Sequence, residues 1–346
     1  LMSRKISRSF INGRTGAGTA GQGLKVEWDS TNDGELHWMD VDESTLEFVP
    51  GFQGSNYGFH SGGWNGSALI TTVNKFAFSS NTTATDHGDL SVARGDTPVG
   101  HSSTTDGYTA GGGEWTNVMN TIDKFSFVSG GTASDHGDLS VARLWPSGSC
   151  NLTDGYTAGG FTSTYVSTMD KYSLTSNITA SSHGDLVYNT ILAAGQSSTD
   201  YGFSSGGYVP GTGKVDIINK YAFASNTTAS DHGDISTARA LYGAGQSSTD
   251  YGFSSGGHYT DGSPINTIDY FAFASNTTAT DHGDLIQSRD SAAGSSSTTN
   301  GYTAGGRSSG YTPVDTIDYF AYSSNTTATD HGNLSSVDSL AAGQQY

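Results

Sequence analysis

Proline, cysteine and charge are all scarce in this chain, and each scarcity removes a class of answer. Six prolines in 346 residues cannot build a collagen-like or polyproline rod. The single cysteine, Cys150, excludes an internal disulfide framework and any multi-cysteine metal site. Charged residues make up 14%, against about a quarter in an ordinary soluble chain. Basic residues are the scarcest, with 15 Lys and Arg against 33 Asp and Glu, a net charge of −18. That balance argues against nucleic acid as a partner, since such binding rests on neutralising phosphates. No apolar run approaches the ~20 residues that cross a bilayer as a helix, so no membrane insertion is expected. The start also lacks the uninterrupted apolar core of a secretory signal.

What is present points to a β protein. Glycine fills 48 positions, roughly double ordinary usage. Hydrophobic residues reach 34%, with 15 Phe, 18 Tyr and 5 Trp, too many for a disordered chain. The charges are unevenly placed. Residues 1–20 carry Arg4, Lys5, Arg8 and Arg14 and no acid, whereas eight acids fall between Glu27 and Glu47.

Internal repetition dominates the rest. A diglycine ends at Gly63, Gly112, Gly160, Gly207, Gly257 and Gly306, at intervals of 49, 48, 47, 50 and 49. A His-Gly pair recurs at His87, His136, His183, His232, His282 and His331, with steps of 49, 47, 49, 50 and 49. Within a unit, two glycine-rich segments meet at a tight Thr-Asp turn, as in a hairpin. A third segment such as Ile122-Asp-Lys-Phe-Ser-Phe127 suits a strand. The fourth follows a turn cluster of Asn, Thr, Asp and Gly. Four short strands per repeat and no sustained helical period predict an all-β propeller.

The ends bear on blade number. A residue twelve positions before each histidine precedes the third-strand aromatic, as in Lys75/His87 and Lys220/His232, and Lys25/His37 repeats that spacing. At the other end, Leu340–Gln344 copies the first strand found at Leu192–Gln196. These two observations favour seven blades. Residues 21–45 would supply a hairpin to a closing blade shared with the C-terminus, and Ser9–Gly13 its second strand. Residues 1–20 would form a basic arm and 46–346 the propeller repeats; six blades with a separate N-terminal hairpin is the alternative.

The diglycine, and the arginines ending the fourth strand at Arg94, Arg143, Arg239 and Arg289, resemble those of kelch repeats. Thr190 and Asp338 replace that arginine in two repeats, and a His-Gly-Asp turn stands where the kelch tryptophan would be. The near-identical Asn-Thr-Thr-Ala and Asp-His-Gly-Asp-Leu units look like kelch-like repeat proteins of marine bacteriophages, over residues 46–346. The resemblance implies a virion component, in a tail or fibre assembly, with other virion proteins or identical subunits as partners. A secreted or cell-surface adhesin or lectin and a purely architectural module are the competing readings.

In a four-stranded blade the second-to-third and fourth-to-first loops share one face. The second-to-third loops vary, and they present Trp64, Trp115, Phe161, Tyr165, Tyr208, Tyr259 and Tyr311. The fourth-to-first loops add Trp145, Tyr188 and Tyr242. Aromatics among Gly, Ser, Thr and Asn suit an adaptable binding surface and the flat faces of sugars, so a host-surface glycan or receptor is the expected ligand. The opposite face is nearly constant. Its aspartates, Asp86, Asp135, Asp231, Asp281 and Asp330, read as turn residues, with Ca²⁺ ligation as the lesser alternative. No cofactor is expected.

Almost every polar residue recurs with the period, whereas a catalytic constellation is unique. No enzymatic activity is therefore expected. The kelch-type copper oxidases would need Cys150 crosslinked to a tyrosine, and no spacing indicates it. Eight Asn-x-Ser/Thr sequons, at Asn65, Asn81, Asn151, Asn177, Asn226, Asn276, Asn325 and Asn333, follow from the Ser/Thr-rich composition.

Overall fold

A computed structural model describes residues 22–26, 36–40, 53–259 and 261–346. Among the described residues every regular element is a β-strand. Residues 49–346 form one unit, a β-propeller of six blades. In the second to sixth blades four antiparallel strands run in chain order from the centre outward. The third blade is typical, with strands Ser147–Cys150, Asp154–Ala158, Thr168–Ser173 and Ser181–Asp185. The second, fourth, fifth and sixth blades span residues 99–138, 194–234, 245–284 and 293–338.

The seven-bladed expectation is corrected by the way the ring closes. The C-terminal strand Ala342–Gln345 pairs antiparallel with Tyr57–Ser61, placing Gly58 opposite Gln345 and Ser61 opposite Ala342. It is thus the first strand of the first blade, whose other strands are Tyr57–Ser61, Thr72–Ala77 and Thr85–Asp89. Six repeats close on themselves with no open edge at the junction. The segments Gln22–Val26 and Leu36–Asp40 do form a hairpin, as a separate two-stranded sheet. Its register is not that of a blade. Lys25 faces His37 there, whereas Lys124 faces Ser134, two residues short of His136, beside a register shift. The basic arm with Arg4, Lys5, Arg8 and Arg14, and Ser9–Gly13, lie outside the described residues.

At the centre the first strands touch backbone to backbone. Each contributes one glycine: Gly343, Gly100, Gly148, Gly195, Gly245 and Gly294. A Cβ on Gly195 would lie 1.8 Å from the carbonyl oxygen of Gly148. The same clash recurs at 2.1 Å for Gly245 on Gly195, 2.2 Å for Gly294 on Gly245, 2.1 Å for Gly343 on Gly294 and 2.0 Å for Gly100 on Gly343. Only glycine permits that approach. The central channel has a water-accessible volume of about 60 Å³, enough for a few waters.

Further out, each second-strand aromatic packs on the next blade. Tyr156 stacks on Phe223 at 4.5 Å, Phe203 on Phe273 at 4.7 Å and Phe253 on Tyr322 at 4.7 Å. Tyr302 on Phe78 at 4.5 Å carries the pattern across the closure. Polar joints run beside these rings. Buried Arg94, Arg143, Arg239 and Arg289 pair with Asp123, Asp170, Asp269 and Asp318 of the following blade at 2.7–3.2 Å. Where Thr190 replaces the arginine, the facing residue is Asn219, whose Oδ1 accepts from Val187 N. Where Asp338 replaces it, the facing residue is Asn74, whose Oδ1 accepts from Ser335 N. Asp338 instead pairs with buried His60 at 3.2 Å.

A second polar layer follows the central glycines. Gln196, Gln246 and Gln344 each donate to a second-strand carbonyl of the next blade, at Phe253, Tyr302 and Tyr108, all at 3.0 Å. His101 occupies the same place in the second blade. Its Nε2–H donates to the Tyr156 carbonyl at 2.8 Å, and its Nδ1 accepts from Tyr172 at 2.7 Å. Burial then pushes the His101 pKa down to about 4.

Two expectations follow. Gly195→Ala should lower unfolding free energy by more than ~3 kcal/mol, whereas Gly211→Ala, with open space around it and φ +81°, should cost only about 1–2 kcal/mol; denaturant unfolding measures both. His101 is neutral when folded but takes a proton readily when unfolded. Stability should hold above pH 6.5 and fall as pH drops towards about 4, by roughly 3 kcal/mol in all. His101→Gln, which installs the side chain used in three other blades, should flatten that part of the pH profile.

Candidate functional site

The two loop families share one face. In every blade the incoming fourth-to-first loop forms an antiparallel bridge with the second-to-third loop: Ser339 with Trp64, Gly95 with Gly113, Leu144 with Phe161, Ile191 with Tyr208, Ala240 with His258 and Asp290 with Arg307. The diglycine makes the second-to-third turn possible. Gly206 and Gly207 take φ +64° and +105°, and a Cβ on either would meet a backbone carbonyl oxygen within 2.9 Å.

The structure gathers the predicted aromatics into a run and leaves others apart. Trp115 stacks on Phe161 at 4.8 Å and lies 5.3 Å from Trp145. Phe161 continues to Tyr165 at 5.3 Å, and Tyr165 to Tyr208 at 6.5 Å. Trp115 is 58% exposed, an unusual position for a side chain of its size. Tyr188 is exposed, and Tyr259 is exposed on its own loop, where its carbonyl accepts from Lys214 Nζ.

Trp64 and Tyr311 belong to a second group, with residues that periodic reading passed over. They line a cavity of about 390 Å³ with Leu69, Asp96, Glu114, Arg307 and Leu340. The Arg307 guanidinium lies 5.3 Å over the rings of both Tyr242 and Tyr311. Its Nε donates to Asp290 Oδ1 at 2.9 Å, and His258 sits 3.2 Å from the other Asp290 oxygen. Burial raises Asp290, but the bonds from His258 and Arg307 outweigh it and hold its pKa below the usual value. Asp96 shifts the other way. Burial dominates and Glu114 adds to the rise, against the Trp145 indole hydrogen bond and Arg307. A signal for this group exists in the sequence. Glu114 is the one glutamate after residue 47, and Arg307 and Lys214 are the basic residues of 46–346 that stand outside the repeated positions.

The constant face is explained by folding. Asp86, Asp135, Asp231, Asp281 and Asp330 each accept from the backbone N–H two residues on, at 2.8–2.9 Å. The six histidines are joints between blades. Each uses Nε2 to reach a third-strand carbonyl of the next blade at 2.8–2.9 Å, and His331 to Ala77 spans the closure. A carbonyl only accepts, so Nε2 carries the proton. The sequon asparagines Asn81, Asn177, Asn226, Asn276 and Asn325 donate to the neighbouring blade at 2.9–3.3 Å. Asn65 and Asn151 cap their own turns.

Cys150 is buried in the wall of the channel. Burial pushes its thiol up to about 11. Its tyrosine neighbours are committed elsewhere, Tyr172 to His101 and Tyr221 to Ser149 at 2.7 Å.

No protein-family model matches this chain, and no curated protein is significantly similar to it.

His136→Ala removes one cross-blade bond together with an edge contact to Tyr108 at 4.9 Å. It should cost about 1–3 kcal/mol of stability, read by chemical denaturation, while leaving the fluorescence of the exposed Trp115 unchanged in the native state.

Proposed function

We propose that this chain is a kelch-like repeat propeller carried on a bacteriophage particle, where it acts without catalysis as a recognition module for a host-surface glycan. The aromatic run Trp145–Trp115–Phe161–Tyr165–Tyr208 carries the reading. Trp115 is exposed and the other four rings are half-buried beside it, an apolar surface that monomeric proteins seldom leave without a partner, and loops of Tyr, Trp, Ser, Gly and Asn suit adaptable contacts. The flat CH faces of sugar rings lie well on indole and phenol rings, and nearby hydroxyls and amides bond their edges. The virion setting is supported by the near-identical tandem repeats described above. The arm with Arg4, Lys5, Arg8 and Arg14 would then dock on an acidic neighbour in the particle, since it opposes a net charge of −18.

Binding of the intact chain to a glycan array and to host envelope polysaccharide tests this reading. Trp115→Ala and Phe161→Ala should each weaken binding by roughly 1–3 kcal/mol with little loss of stability. Normal binding by both variants, or no binding by the intact chain, would refute it.

A further inference from the structure

The cavities differ in what made them. The central channel is too narrow for more than a few waters. Two outer clefts are lined largely by residues of the repeat, such as Asp106, Lys124 and Ser134, or Asn81, Tyr302 and His331. The cavity between the loops of the sixth, first and second blades is different. It is walled by Trp64 and Tyr311 and lined by Asp96, Glu114 and Arg307.

We propose that this cavity holds a single uncharged saccharide residue, gripped through a pair of vicinal hydroxyls by Asp96, Glu114 and Arg307 and stacked on Trp64. The proposal rests on the glycan reading above and names the subsite and ligand class within it. A volume of about 390 Å³ falls within the range of small-molecule sites, about 300–1,000 Å³. A hydroxyl both donates and accepts, so a diol needs acceptors and donors side by side. Asp96 and Glu114 supply the first, and the guanidinium NH₂ groups of Arg307 the second.

The charge arrangement selects against acidic sugars. Arg307 is already neutralised by Asp290 at 2.9 Å, so Asp96 and Glu114 would repel a sugar acid. The guanidinium also covers the Tyr311 ring at 5.3 Å, which leaves Trp64 as the open ring for a sugar face. The geometry is held ready. Asp96 and Tyr311 are non-glycine residues at φ +51° and +60°, sparsely populated conformations that persist only where their surroundings over-determine them. Trp145 N also donates to the Asp96 main-chain carbonyl at 3.2 Å, which joins the subsite to the aromatic run.

Saturation-transfer NMR on the intact chain tests the proposal. The probes are the methyl glycosides of glucose, galactose and mannose, with glucosamine and N-acetylneuraminic acid as charged counterparts. At least one neutral glycoside should bind, and N-acetylneuraminic acid should bind at least tenfold more weakly. Asp96→Asn and Trp64→Ala should weaken the neutral ligand tenfold or more. Asparagine tolerates the left-handed backbone, so Asp96→Asn keeps the fold, and unchanged melting verifies it. Tyr188→Ala, at an exposed ring outside both aromatic groups, should change this binding less than threefold. Tighter binding of glucosamine than of the matched neutral sugar would make the cavity a cation site and overturn the proposal. Absence of glycoside binding, or binding unaffected by both variants, would also overturn it. If array binding still depends on Trp115 in that case, the subsite fails and the wider glycan reading stands.

Discussion

Backbone contact between the six central strands is the constraint on which everything else hangs. At five of the six joints a glycine Cα faces the carbonyl oxygen of the preceding glycine, with no room for a methyl group. The sixth joint is looser only in detail, since a Cβ on Gly148 would meet the Val99 side chain at 2.7 Å. Strands so close leave a channel of about 60 Å³, and a seventh blade would part them. Blade angle, the stacking distance of the second-strand aromatics and the placing of the loops follow from that contact.

Around this centre the blades are joined by polar bonds that change together. Arg239 meets Asp269 where both are present, but Thr190 meets Asn219 and Asp338 meets Asn74. A buried aspartate without its arginine would strand a charge, at a cost of about 3–5 kcal/mol. Asparagine keeps the same cap on the neighbouring backbone without the charge. At the closure, Asp338 finds His60 instead, in a place occupied by Ser or Thr in the other blades. The junction between the ends is thus chemically distinct from the other five, although its backbone pairing is the same.

Strand order and the two faces were legible in the sequence because hydrophobic alternation and turn chemistry act locally and repeat. Blade number was misread for a physical reason. A spacing of twelve between Lys25 and His37 specifies only a hairpin of a certain length, and register separates it from a blade. The closing strand needs just one vacant edge, and Tyr57–Ser61 offers it. The recurrence of the histidines was legible, yet their partners were not, because each acceptor is a main-chain carbonyl and carries no residue signature. Of the site, the aromatics were visible by type. Asp96, Glu114 and Arg307 converge from three blades, and no local pattern announces that.

The mouth of the ring shows how a repeated scaffold presents unlike side chains. Asp96, Trp145, Leu192, Tyr242, Ser291 and Leu340, one per fourth-to-first loop, all adopt φ between +51° and +60°. Each conformation costs about 1–2 kcal/mol for a residue with a Cβ, and glycine would take it freely. What links them, at five of the six joints, is a series of main-chain bonds. Trp145 N donates to Asp96 O, Leu192 N to Trp145 O, Tyr242 N to Leu192 O, Leu340 N to Ser291 O and Thr97 N to Leu340 O, at 2.8–3.2 Å. These bonds depend on no side chain, so acid, indole, phenol and aliphatic groups occupy equivalent places without disturbing them. Diversity at the mouth is therefore a consequence of the same backbone closeness that glycine enforces at the centre.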